Sequence, residues 1–121
     1  MLKTANWDTI PKVKSRDGVT RRVFSGSNSM MVLNEIFPSA YPALHHHPHE
    51  QLTYILEGES EFVLGDEVLH LKAGDVVLVP PNVPHSSKTL SAGPVLNLDI
   101  FSPIREDYLA EEAGKQKGEQ K

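Results

Sequence analysis

The chain of 121 residues contains no cysteine. Disulfides and thiolate metal ligands are therefore excluded, and the redox compartment is left open. Long apolar runs are missing as well. Nothing approaches the roughly 20 consecutive apolar residues of a membrane-spanning helix, and Met1-Leu2-Lys3-Thr4-Ala5-Asn6-Trp7-Asp8 lacks the apolar stretch of a secretory signal. The expectation is a cytoplasmic protein with no membrane partner. Nor is there an excess of positive charge: 12 Lys and Arg stand against 16 Asp and Glu, a formal charge of −4, which argues against nucleic acid as a partner. Helix-forming stretches are scarce. Only the segment from Pro103 onward, through Arg105-Glu106-Asp107-Tyr108-Leu109-Ala110-Glu111-Glu112, reads as helical.

What is present points to one small β domain. The length suits a single core, and 39% of the residues are hydrophobic. Nine prolines and eight glycines interrupt the chain every few residues, a spacing that favours short strands. Strands are expected over Val19–Phe24, Met30–Phe37, Gln51–Leu56, Glu61–Leu64, Glu67–Leu71, Val76–Val79, His85–Leu90 and Val95–Phe101. Gly65-Asp66 is a two-residue hairpin signal, and Val76-Val77-Leu78-Val79 has the composition of a fully buried strand. Residues before Val19 read as irregular, with Trp7, Ile10 and Val13 as spare apolar groups. The last eight residues, from Gly114, carry no apolar side chain and are expected to be disordered. The fold class is all-β: an antiparallel barrel or sandwich with a short C-terminal helix.

The chemistry concentrates in Leu44-His45-His46-His47-Pro48-His49-Glu50-Gln51. Side chains two apart in a strand share a face, so His45 and His47 can reach one ion from a single strand. Gln51 follows four residues after His47, and His85 lies 38 residues past His47, behind the stiff Pro80-Pro81-Asn82-Val83-Pro84 loop. A lone histidine is commonly a surface residue. This spacing, with the glutamine and the proline-led histidine, instead selects His45, His47, Gln51 and His85 as one metal site. Imidazole and amide donors suit nickel, iron, zinc, manganese or copper rather than calcium. By strand parity His46 points away, Pro48 takes His49 out of register, and His70 reads as an exposed or half-buried strand residue. Near the end of the chain, Asn97, Asp99 and Phe101 alternate with Leu98 and Ile100. Asp99 is either a general acid or base in a pocket or a surface carboxylate. Arg105 is either a helix-start charge or a clamp for a substrate carboxylate.

These motifs resemble the cupin family. The first cupin motif appears as His45-x-His47, three residues, Gln51, six residues, Gly58. The second runs Gly74, five residues, Pro80-Pro81-Asn82, two residues, His85, three residues, Thr89. Ser39 and Asn82 stand where the family has glycines, Thr89 replaces an asparagine, and Gln51 replaces a glutamate. Asn tolerates the positive φ that such a turn asks for. The resemblance implies a single jelly-roll barrel over residues 1–113 with its metal-binding core at about 30–102. With Gln51 the ligand set is neutral, which leaves the ion a stronger Lewis acid toward anionic oxygen and disfavours redox cycling.

Within the cupins, Leu44 to Gly58, Pro80 to His85 and Asp99-Ile100-Phe101-Ser102-Pro103-Ile104-Arg105 together resemble the KdgF-type proteins of pectin and alginate breakdown. That resemblance implies a divalent metal on His45, His47, Gln51 and His85. It also implies that Asp99, Phe101 and Arg105 face an unsaturated monouronate, an anionic small molecule, as it is converted to its linear keto form. Small cupins resemble homodimers in which N-terminal segments cross to the partner, although this arm can also pack on its own barrel. Three other activities use similar ligands: a three-histidine iron dioxygenase of diketones, a polyketide-cyclase-like enzyme, and a non-catalytic binding module.

Overall fold

Strand ends fall where turn residues interrupt the β-forming runs. The computed structural model describes residues 3–111, so the polar tail expected from Gly114 lies outside the described residues. Among those described, nine strands form: β1 (Val13–Arg16), β2 (Val19–Ser25), β3 (Met30–Ile36), β4 (Glu50–Glu57), β5 (Glu59–Leu64), β6 (Glu67–Lys72), β7 (Val76–Val79), β8 (His85–Thr89) and β9 (Val95–Ser102). A short helix, α1, covers residues 106–111. One sheet has six strands in the order β1-β2-β3-β9-β4-β7 and the other three in the order β6-β5-β8, with every pairing antiparallel. No helix among the described residues is long and apolar enough to cross a membrane.

The core lies between the sheets. Val19, Ile36, Ile55, Val79 and Val95 from the larger sheet meet Phe62 and Leu71 from the smaller. A second cluster of Met30, Val32 and Phe101 is capped by Ile104 and Tyr108 from the C-terminal segment. Thr89 fastens the sheets together, its buried hydroxyl donating to the Ile36 carbonyl at 2.8 Å. Gly58 adopts φ 91°, and a side chain there would press within 3.0 Å of Ser91 and Val95. Asn82 adopts φ 66° in the proline loop, the left-handed conformation that asparagine accepts at lower cost than most residues.

Three expectations need correction. Val76–Val79 is not a buried strand: β7 is the sheet edge, and Val76 and Leu78 are 73% and 51% exposed. Its apolar character belongs to an outer face on which Leu52 pairs with Leu78 and Tyr54 with Val76. The segment before Val19 is not wholly irregular, because β1 pairs with β2 there. Ahead of it, the arm packs on its own sheet: Trp7 and Ile10 line a groove with Phe24 and Met31, and the Trp7 carbonyl accepts from Arg22 at 2.6 Å. Finally, His45 and His47 do not lie in a strand. They occupy an extended loop between β3 and β4 that touches the sheet through a single bridge.

Candidate metal centre

That bridge joins His45 to His85. His45 N–H donates to the His85 carbonyl at 3.1 Å, and His85 N–H returns to the His45 carbonyl at 2.9 Å. The proline loop is tied to the same segment, with Asn82 N–H on the His47 carbonyl at 2.7 Å. Two stretches nearly forty residues apart are thus laced together, and the imidazoles of His45, His47 and His85 converge. Their ring nitrogens come within 4.8 Å of one another.

Each ring is oriented in the same way. Nδ1 of His45 faces the Ala43 carbonyl at 2.7 Å, that of His47 the His49 carbonyl at 3.1 Å, and that of His85 the Val83 carbonyl at 2.9 Å. A carbonyl only accepts, so Nδ1 carries the proton in all three rings and Nε2 offers its lone pair. Such carbonyl partners are the usual means of fixing a metal-binding imidazole. The His85 Nε2 is buried with no hydrogen-bond partner, and the Gln51 carbonyl Oε1 stands 3.1 Å from the His47 Nε2. Two acceptors that close are unsatisfied until a cation lies between them, so the residues fit a metal ion. Burial, above all, lowers the His85 imidazole to about 4. Burial followed by the Arg105 charge lowers that of His47. Both rings are neutral at physiological pH, as ligands must be.

Asp99 is buried rather than a surface carboxylate, and it sits beside the histidines. Its Oδ1 accepts from Thr53 Oγ1 at 2.7 Å, Asn97 Nδ2 at 2.9 Å and Gln51 Nε2 at 3.2 Å; its Oδ2 accepts from Asn34 Nδ2 at 2.8 Å. Burial outweighs these donors and the Arg105 charge, raising its carboxyl to about 6. Phe101, 2% exposed, presents its ring edge-on to His47 at 5.5 Å. The Arg105 guanidinium lies 5.2 Å above the Phe101 ring and 3.9 Å above that of Tyr108. It donates to Tyr108 Oη and Asp107 Oδ2, each at 2.9 Å. Buried Arg21, ion-paired with Glu111, also stacks 3.9 Å from the Tyr108 ring. The helix α1 is thereby pinned over the barrel mouth. Gln51, His45, His85, Asp99, Phe101 and Arg105 all line one cavity with Asn34, Ser86, Asn97 and Tyr108.

Every site residue expected from the sequence is therefore in or at this cavity, His47 among them through its contacts to His85 and Gln51. His46 is exposed, and His70 pairs at the surface with Glu59 at 3.0 Å. His49 stays outside the three-histidine cluster, yet its carbonyl fixes the His47 ring. Sequence reasoning missed Asn34, Thr53, Arg21 and Tyr108. Thr53 was within reach by parity, two residues after Gln51. Asn34 needed the β3–β9 register, which sets it opposite Asn97.

Comparison with known proteins agrees with this fold. Residues 32–101 match the cupin domain family. The chain is a cupin. This cupin is 35% identical over 104 residues to the pectin degradation protein KdgF of Dickeya dadantii strain 3937, covering 84% of this chain and 94% of that protein. It belongs with the KdgF-type cupins. Among solved structures, an RmlC-like cupin from Shewanella frigidimarina NCIMB 400 superposes with a TM-score of 0.82 at 27% identity, covering 89% of this chain and 96% of that one. KdgF from a Halomonas species superposes with a TM-score of 0.77 at 26% identity, covering 84% and 94%.

Proposed function

We propose that this cupin is a metal-dependent enzyme that opens and tautomerises an unsaturated monouronate to its linear keto acid. The observation that carries the reading is the meeting, in one polar cavity, of three Nε2 lone pairs and the Gln51 carbonyl with a buried carboxylic acid and an arginine. A divalent first-row transition ion (nickel, iron, zinc, manganese or copper) held by His45, His47, Gln51 and His85 would supply Lewis acidity to the substrate's oxygens.

The remaining work falls to the chain itself. Arg105 is held by stacking on Phe101 and Tyr108 with its charge toward the cavity, so its guanidinium meets a carboxylate already oriented. Asn34, Ser86 and Asn97 suit a ligand rich in hydroxyls, and the side-chain Oδ1 of Asn97 is buried without a partner. Ring opening takes the proton from the anomeric hydroxyl and breaks the ring carbon–oxygen bond to leave an enol. Tautomerisation moves a proton onto the adjacent carbon, so atoms balance with no co-reactant. Asp99, with its carboxyl near 6, is poised to hold that proton at neutral pH. Phe101 and Tyr108 wall the site against water. An oxygenase of apolar diketones has no use for so polar a lining.

Incubating the metal-loaded protein with 4,5-unsaturated galacturonate and following the linear keto acid by NMR tests the reading. Ketonisation well above the spontaneous rate is expected. Oxygen consumption with a β-diketone and none of this ketonisation would contradict it. We also propose that two copies pair through the outer face. Leu52, Tyr54, Leu56, Val76 and Leu78 are exposed there and form an apolar patch, and β7 is an edge with no lysine or proline within it to guard it.

A further inference from the structure

The least conspicuous ligand is the one whose orientation the barrel controls most tightly. A glutamine can present either end of its amide to a metal, and only the carbonyl end ligates. At Gln51 both amide hydrogens are engaged: Nε2 donates to Thr53 Oγ1 at 2.8 Å and to Asp99 Oδ1 at 3.2 Å. The threonine does not set this direction, because a hydroxyl can donate or accept. Here its single proton goes to Asp99 Oδ1 at 2.7 Å, so only a lone pair is left for Gln51. The direction originates at Asp99, which accepts at both oxygens and is held on its other sides by Asn97 and Asn34.

We propose that Asp99 is a positioning residue for Gln51: it turns the amide carbonyl toward the three imidazoles and bars a carboxylate from position 51. This rests on the metal-centre reading above and deepens it. A glutamate at position 51 would set a carboxylate oxygen about where Nε2 now lies, 3.2 Å from Asp99 Oδ1 and facing a threonine lone pair. Like charges at that distance do not both persist in a buried site. The neutral ligand set follows from a carboxylate that the cavity already contains. A compensating change follows too. When Q51E and D99N are combined, the same bonds form in reverse: the new amide at position 99 donates to the new carboxylate at position 51, and Thr53 turns its proton to that carboxylate. Net charge is unchanged; Asn97, whose amide donates to that same oxygen of Asp99, rotates its amide to match, while Asn34 keeps donating to the oxygen that remains.

A double-mutant cycle on the full chain tests this, with Q51E, D99N and Q51E/D99N. The first readout is the thermal midpoint of metal-free protein. Q51E is expected to melt about 5–10 °C below the parent, and the double variant to recover at least half of that loss. The second is Ni²⁺ affinity by calorimetry. D99N is expected to bind about 10-fold more weakly than the parent, within the range for lost support of a metal ligand, and Q51E/D99N to bind more tightly than the parent. If Q51E fails to fold, recovery of folding in the double variant is the supporting result. Additive losses, with the double variant melting below Q51E, would overturn the proposal, as would Ni²⁺ binding by D99N equal to the parent's. The stability cycle needs neither metal nor substrate. Failure of uronate turnover would therefore strike the proposed function and leave the pairing standing.

Discussion

The two faces of β9 invert the usual arrangement of a half-buried strand. Asn97, Asp99 and Phe101 point into the barrel and are buried, while Leu96, Leu98 and Ile100 point outward and are half-buried. Strand β4 repeats the pattern, with Gln51 and Thr53 inside and Leu52, Tyr54 and Leu56 outside. Ordinary alternation puts apolar groups inside. Here the interior around the site is a hydrogen-bonded polar network bordered by two apolar clusters, one holding Phe62, which stacks on His85, and the other Phe101, edge-on to His47. A polar interior is tolerable only if its groups are satisfied. Among the described residues three buried side-chain atoms are left over, His49 Nδ1, His85 Nε2 and Asn97 Oδ1, and the two whose residues line the cavity mark where ligands belong. On the proposed reading, the inner face is the one that binds and the outer face the one that associates.

The largest effect should come from the inner face. His85→Ala removes a buried ligand and should lower metal affinity at least ~100-fold, read by calorimetry with Ni²⁺. Unchanged affinity would remove His85 from the site. Next, Arg105→Ala should raise KM for the uronate about 10- to 100-fold with a smaller change in kcat, because the guanidinium is assigned to binding the anion. A change in kcat alone would place it elsewhere in the reaction.

Acid sharpens the comparison further, since the inner face holds two groups with opposite linkage. The folded His85 ring titrates near 4 instead of 6.5, so its contribution is complete above 6.5 and is lost as pH falls toward 4. Asp99 is raised from 3.8 to about 6, so it costs stability progressively as pH rises from about 4 to 6. In the metal-free parent the two largely cancel over that window. Asp99→Asn should unmask a rise in unfolding free energy of roughly 3 kcal/mol between about pH 4 and 6.5, measured by denaturant titration. A curve as flat as the parent's would contradict the assignment.

The smallest effect on the monomer should come from the outer face. Leu78→Lys alters a side chain that is 51% exposed and should change monomer stability by no more than about 0.5 kcal/mol. It should nevertheless shift sedimentation from dimer to monomer and leave metal binding intact. A parent that sediments as a monomer at high concentration would remove the proposed pairing.

How far the sequence could be read depended on whether a signal was local. The HxH spacing, Gln51 and the proline-led His85 are short-range patterns, so the convergence of these side chains was legible, as were eight strands and the helix start. Parity along Asn97 to Phe101 put Asp99 on the face that proves to be buried. Where the reading failed, the answer lay in partners. A run such as Val76–Val79 looks buried by composition, and only its edge position exposes it. The pair Asn34 and Asn97 exists only through register between strands, and the Arg21–Tyr108–Arg105 stack only through the docking of α1 on β2. The histidine segment behaves like a strand in presenting His45 and His47 together, although a single bridge to His85 and the Asn82–His47 bond hold it in place of a ladder.

The central claim is that the inner face joins a metal centre to a proton-transferring carboxylic acid, and Asp99→Asn tests it most directly. With enough metal added to saturate the weakened site, the variant should bind one ion per chain and fold as the parent does. Its ketonisation of 4,5-unsaturated galacturonate should nonetheless fall by about 100-fold or more. Turnover at the parental rate by that metal-saturated variant would contradict the account.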